Sequence, residues 1–155
     1  MKYLLVAVVL LFSACSVKNY EQTQTKIIII KSPKLKFADI GYIRNSDKSI
    51  EVELFMAGKA IEKIAINHLV CTNDGCMSKK GFNSDYLHSS YPDEILQNIF
   101  LGHEIYDGIN RVKTEDGFEQ KILSKHVEIT YRVDAHAIYF KDRKNKILFK
   151  IKDTE

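Results

Sequence analysis

The chain has 155 residues, with 23 Lys and Arg against 20 Asp and Glu, a formal net charge of +3, and 45% hydrophobic residues. That length holds one domain with a real core and is too short for two. Cations and carboxylates interleave along the chain, so no single basic face and no nucleic-acid partner is expected.

Lys2 precedes an apolar run from Tyr3 to Ala14 that closes as Leu10-Leu11-Phe12-Ser13-Ala14-Cys15-Ser16. The run is about half the ~20 residues a membrane-spanning helix needs, so it reads as a signal core. Small residues directly before a cysteine resemble a bacterial lipobox, although Phe12 stands where leucine is usual; an ordinary signal peptide with a coincidental cysteine is the rival reading. The resemblance implies that Cys15 is the lipidation site, diacylated on its thiol and acylated (palmitate) on the new amino terminus after cleavage. Removing residues 1–14 takes away one charge, Lys2, and lowers +3 to +2. The expected division is a lipoprotein signal peptide at 1–14, a lipidated polar tether at 15–25, and one β-rich domain at 26–155. Serine after Cys15 implies, by the same resemblance, the outer membrane as destination.

Lys26 to Lys31 (KIIIIK) is a strand candidate apolar on both faces, closed by Ser32-Pro33. Leu35 to Arg44 follows with a bend near Gly41. Ser49 to Met56 alternates, placing Ile50, Val52, Leu54 and Met56 on a buried side and Glu51 and Glu53 on a wet one. After Ala57-Gly58-Lys59 the next strand runs from Ile61 to Val70. Cys71-Thr72-Asn73-Asp74-Gly75-Cys76 is a hairpin connection, and export to an oxidising compartment favours a Cys71–Cys76 disulfide. A metal pair with His68 is the rival reading, but no second Cys/His pair has ligand spacing.

Ser90 to Gly102 is the one helix expected after the signal run, with Ser90 as cap, Pro92 in the first turn and Gly102 at the end. Its apolar stripe is Ile95, Leu96, Ile99 and Phe100. Strands resume as Ile109 to Lys113, Gly117 to Ser124, His126 to Val133, Ala137 to Lys141 and Lys146 to Lys152, with a solvated polar turn at Asp142 to Asn145. The resulting class is mainly β, with one or two short helices.

No nucleophile elbow, Gly-rich phosphate loop or His-Glu-x-x-His motif is present, and the five histidines are scattered singly. No catalytic residue, metal site or cofactor is expected, and the chain is read as a non-enzyme. The order of lipobox, antiparallel strands, hydrophobic loop (Phe55-Met56-Ala57-Gly58), proline-led helix and closing hairpin (Ile138 to Lys152) resembles the LolB family. The run Phe82-Asn83 to Tyr91-Pro92 also looks like small lipoproteins of Campylobacter and Helicobacter relatives. The LolB resemblance implies a LolA/LolB-type incomplete antiparallel barrel with a helical lid, facing the periplasm and receiving lipoprotein acyl chains from a LolA-like carrier. On that reading Ile95, Leu96, Ile99 and Phe100 cover a cavity lined partly by Val127, Ile129 and Tyr131. Met56 becomes a loop residue that enters membrane or ligand. From the residues alone two alternatives stay open: the helix is permanent core, or the chain is a β-sandwich assembly factor or adhesin without a cavity.

Overall fold

Four isoleucines in a row resist helix, because each β-branched side chain loses rotamer freedom against the preceding turn, and they favour an extended chain. In the computed structural model, which describes residues 22–46 and 49–154, they sit in β1 (Gln22–Lys31) at the middle of a single sheet. On one side follow β2 (Lys36–Ser46), β3 (Ser49–Met56), β4 (Lys59–Ile66), β5 (Leu69–Thr72) and β6 (Gly75–Ser78). On the other side of β1 lies β11 (Ile147–Asp153), then β10 (Ala137–Asp142), β9 (Glu128–Val133), β8 (Phe118–Leu123) and β7 (Arg111–Lys113). The eleven strands pair antiparallel throughout, and the sheet is unclosed, with β6 and β7 as its two edges. Cys15, the signal segment and most of the tether lie outside the described residues.

Between β6 and β7 the chain forms α1 (Lys79–Tyr86) and α2 (Ile95–Leu101), both applied to one face of the sheet. This inner face is set by strand parity: Ile28 and Ile30 of β1, Val52 and Leu54 of β3, Phe140 of β10 and Phe149 of β11 are all buried in one apolar cluster with the helices. Gly41 lets β2 and β3 close over Ile28. A Cβ there would stand 2.7 Å from the Glu53 carbonyl oxygen and 2.7 Å from Ile28 Cδ1.

Several expectations are corrected. The first strand begins at Gln22, inside the expected tether, because Gln22 to Thr25 ladder with Tyr42 to Asn45. The expected Ile61–Val70 strand breaks in two where Asn67 Oδ1 accepts the Leu69 N–H at 2.8 Å. Helix α1 was not expected, since Gly81, Asn83, Ser84 and Asp85 are poor helix formers. Tertiary packing supplies what propensity lacks: Phe82 and Tyr86 are buried, Ser78 Oγ caps Gly81 N, and buried Asn83 donates to the Pro92 carbonyl at 2.9 Å. Helix α2 starts five residues after Ser90, whose hydroxyl engages His88 Nδ1 at 2.7 Å instead of capping.

Two side-chain expectations also change. Met56 keeps the strand parity of Leu54 but is the last residue of β3, paired with Lys59 across the β3–β4 turn, and stands 53% exposed there; the register shift places its extra residue, Ile61, on β4. Glu51 is only 5% exposed although it faces outward, because Arg44 directly opposite and Lys63 at 2.8 Å close over it.

Cys71 and Cys76 face each other across β5–β6, Cα atoms 3.9 Å apart, joined as a disulfide on the outer face. The closed loop is short, so the double variant Cys71→Ser/Cys76→Ser should fold and lose about 2 kcal/mol in a denaturant titration.

Candidate functional site

Helix α2 is short for an independent helix, so its seat determines it. Gly102, at φ 67°, ends it by letting its own N–H reach Ile99 O and the His103 N–H reach Asn98 O. Ile95, Leu96, Ile99 and Phe100 all turn to the inner face and are buried. The Phe100 ring meets Phe149 edge-on at 6.0 Å, and Phe149, Phe140, Tyr131 and Phe118 continue the edge-to-face chain across four strands. Such pairs add about 0.5–1.5 kcal/mol each beyond the area they bury.

Three polar side chains on the inner face hold the segments flanking α2. Tyr131 Oη donates to His103 O at 2.8 Å, with Asn98 O at 3.3 Å beside it. Gln120, fully buried, accepts from Ile105 N at 2.9 Å and donates to Ile105 O at 2.9 Å and Ile109 O at 2.8 Å. Asp142, expected in a solvated turn, is fully buried; it accepts from Tyr91 Oη at 2.8 Å, Asn145 Nδ2 at 2.7 Å and the N–H groups of Glu128, Lys144 and Asn145. Burial, then the Asp142 carboxylate, push Tyr91 well above the usual phenol range, and burial does the same to Tyr131, so both stay donors.

Among the described residues three clefts touch the helix: a polar one of about 540 Å³ lies against Asn98, Gly102, His103 and Arg111, and two others lie at its ends. The larger of these two, about 420 Å³, opens at its N-terminal end between Pro92, Glu94 and Asn98 and the apolar group Tyr106, Ile109, Ile122, Leu123 and Val127. The smaller, about 220 Å³, lies at the other end against Phe100, Gly102, Ile43, Ile138 and Ile151. Leu123 stands 81% exposed at the mouth of the larger cleft. Tyr106, Asp107, Gly108 and Asn110 all take left-handed φ values of 49° to 75° there, a costly backbone for the three that carry side chains. Tyr106 Oη is buried without a hydrogen-bond partner among the described residues. Burial, with Asp142 as the smaller cause, pushes its pKa up to about 12. The arrangement suits a ligand with an apolar body and one hydrogen-bond acceptor.

Of the residues expected to form the cavity, Val127 lines the larger cleft and Phe100 the smaller, whereas Ile95, Leu96, Ile99, Ile129 and Tyr131 are packed core in this conformation. Met56 is exposed and remote in sequence from either lining; Cys15 lies outside the described residues. Tyr106, Gln120 and Asp142 were missed. Gln120 and Asp142 left a signal, polar residues at inward positions of alternating strands, and Tyr106 left none. Among the described residues no three His, Cys, Asp or Glu side chains gather to hold a metal, and no helix is long and apolar enough to cross a membrane. No protein-family model and no curated protein matches the chain.

Phe100→Ala separates the two readings of α2 in denaturant unfolding: as permanent core it should cost about 3–5 kcal/mol through the cavity it opens, as a lid clearly less, with a larger change in probe binding. Tyr131→Phe should cost about 1 kcal/mol, and Tyr106→Phe, which removes an unsatisfied hydroxyl, should cost nothing or stabilise. A folded pKa above the unfolded value of about 10 means the unfolded chain ionises first. Stability is therefore full below that pH and falls as pH rises toward about 12 for Tyr106, and Tyr106→Phe should make the fall shallower.

Proposed function

We propose that the chain is a lipid-anchored outer-membrane lipoprotein facing the periplasm, whose unclosed sheet is a LolA/LolB-like incomplete barrel with α2 as lid. It takes acyl chains, or another apolar ligand, beside α2, as a receptor in lipoprotein localisation supplied by a LolA-like carrier. It is not an enzyme. The observation that carries this reading is the cleft of about 420 Å³ at the N-terminal end of α2, within the size range of small-ligand sites and floored by apolar side chains. Supporting it, the helix occupies the inner face with four apolar residues of the kind a ligand chain would replace. The rival reading, an envelope assembly factor or adhesin without a ligand cavity, differs in expecting no bound apolar ligand.

Delipidated wild-type protein should bind an apolar fluorescent probe, and mass spectrometry of the natively purified protein should find an acyl-bearing molecule. Leu123→Asp, at an exposed mouth position, should leave unfolding unchanged and weaken the probe about tenfold. Wild type that binds no probe overturns the cavity. For the anchor, Cys15→Ser should yield an unacylated precursor; labelled fatty acid still entering that variant overturns the assignment.

A further inference from the structure

Antiparallel register undoes the charge interleaving seen along the sequence. On the outer face, opposite the helices, Lys36 of β2 stands directly across from Lys31 of β1, Lys31 across from Leu148 of β11, and Leu148 across from Lys141 of β10. The next row is Ala38, Ile29, Lys150 and Tyr139, and the third is Ile40, Ile27, Lys152 and Ala137. Twelve outward positions on four neighbouring strands thus hold five lysines and no carboxylate. From strand spacing and rise the patch measures roughly 14 Å by 14 Å. This corrects the expectation that no single basic face exists.

Elsewhere the outer face pairs its cations. Arg44 and Lys63 meet Glu51, with Glu53 also on Arg44, and Lys121 and Arg132 meet Glu119. Lys31, Lys36, Lys141, Lys150 and Lys152 have no carboxylate in reach among the described residues, and Lys150 rests instead over the Tyr139 ring at 5.6 Å. Like charges directly opposite in a ladder, as at Lys31 and Lys36, destabilise a sheet unless an external anion answers them. Within the same field Ile27 and Ile40, 39% and 47% exposed, face each other across β1 and β2.

We propose that the outer face of β2, β1, β11 and β10 lies on an anionic lipid bilayer, its lysines at the phosphate headgroups and Ile27 and Ile40 in the interfacial layer. Nucleic acid would answer the lysines and leave the isoleucines in water, whereas a bilayer surface accepts both, with lysine stems lying along the apolar side chains. The patch includes β1, the first described strand after Cys15: Cys15 precedes Gln22 by seven residues, a reach of at most about 25 Å. Only that last point rests on the lipid-anchor reading.

The test uses the full chain carrying Cys15→Ser, so that no acyl group contributes. It is sedimented with vesicles of phosphatidylcholine alone or mixed with phosphatidylglycerol. The apolar signal run contributes to both vesicle types and cancels in their ratio. Binding to the anionic vesicles should be about a hundredfold tighter at low salt, and most of the preference should vanish near 0.5 M salt. Lys31→Gln/Lys141→Gln should reduce it about twentyfold, at about fivefold per lysine, while Lys80→Gln/Lys113→Gln, an equal loss of net charge on α1 and β7, should leave it intact. Equal binding to both vesicle types, or equal loss in the two double variants, overturns the proposal. Duplex DNA bound as tightly as the anionic vesicles replaces lipid with nucleic acid as the occupant.

Discussion

The pairing of the first strand with the last is the one contact the rest of the sheet depends on. Strands β1 to β6 form a run of neighbour-to-neighbour ladders, and β7 to β11 form another. Among the described residues the one ladder that joins them is the six-residue register from Lys26↔Asp153 to Lys31↔Leu148. Its partners are nearly the whole domain apart in sequence, so the chain-closure entropy is met before any contact rewards it. Two inner-face pairs, Ile28 with Ile151 and Ile30 with Phe149, supply the apolar return. The end of the ladder is tied by Lys26 to Asp153, with His136 Nδ1 at 3.0 Å on the other carboxylate oxygen. These partners, Lys26 first, hold the Asp153 carboxyl below its usual range. Its contribution is therefore present above the ordinary carboxylate pKa and lost as pH falls through the lowered one.

Both helices sit in the connection between the two edges, β6 and β7, and neither closes the sheet. What keeps them on the inner face differs between them. Helix α1 is attached by buried Phe82 and Tyr86, with Tyr86 Oη reaching Asp74 Oδ2 at 3.3 Å on the β5–β6 hairpin that the disulfide locks, and by the Asn83 amide on the Pro92 carbonyl. Helix α2 has its apolar stripe in the core and polar ties both within its span, at Gln97 and Asn98, and beside it, at Tyr91 before and His103 and Ile105 after.

How much of this was legible follows the range of the interactions involved. Strand alternation is local, and Val52, Leu54, Val127, Ile129 and Tyr131 fell on the buried side as a period of two requires. The Cys71–Cys76 hairpin was legible because turn and cysteines are contiguous. Helix α1 was not, since its residues favour helix only once Phe82 and Tyr86 have a surface to bury against. Glu51 and Asp142 looked solvated because their partners, Arg44 and Lys63 for one and Tyr91 for the other, come from other elements. Met56 has the parity of the buried side, but it ends β3 at the turn into β4 and stands exposed, which alternation alone does not show.

The isoleucine run brings these threads together. A strand apolar on both sides ordinarily means burial on both sides, as in a sheet sandwiched between layers. Here only Ile28 and Ile30 have a layer over them; Ile27 and Ile29 lie on the side without helices, and Ile27 remains 39% exposed. Nothing in a one-sided core requires isoleucine at those outward positions, where threonine or lysine would serve the ladder as well. Their presence beside lysines that have no carboxylate in reach among the described residues is what the proposed bilayer contact would account for, as a second apolar layer supplied from outside the chain. A bilayer interface is such a layer, and it takes in the cations as well as the isoleucines.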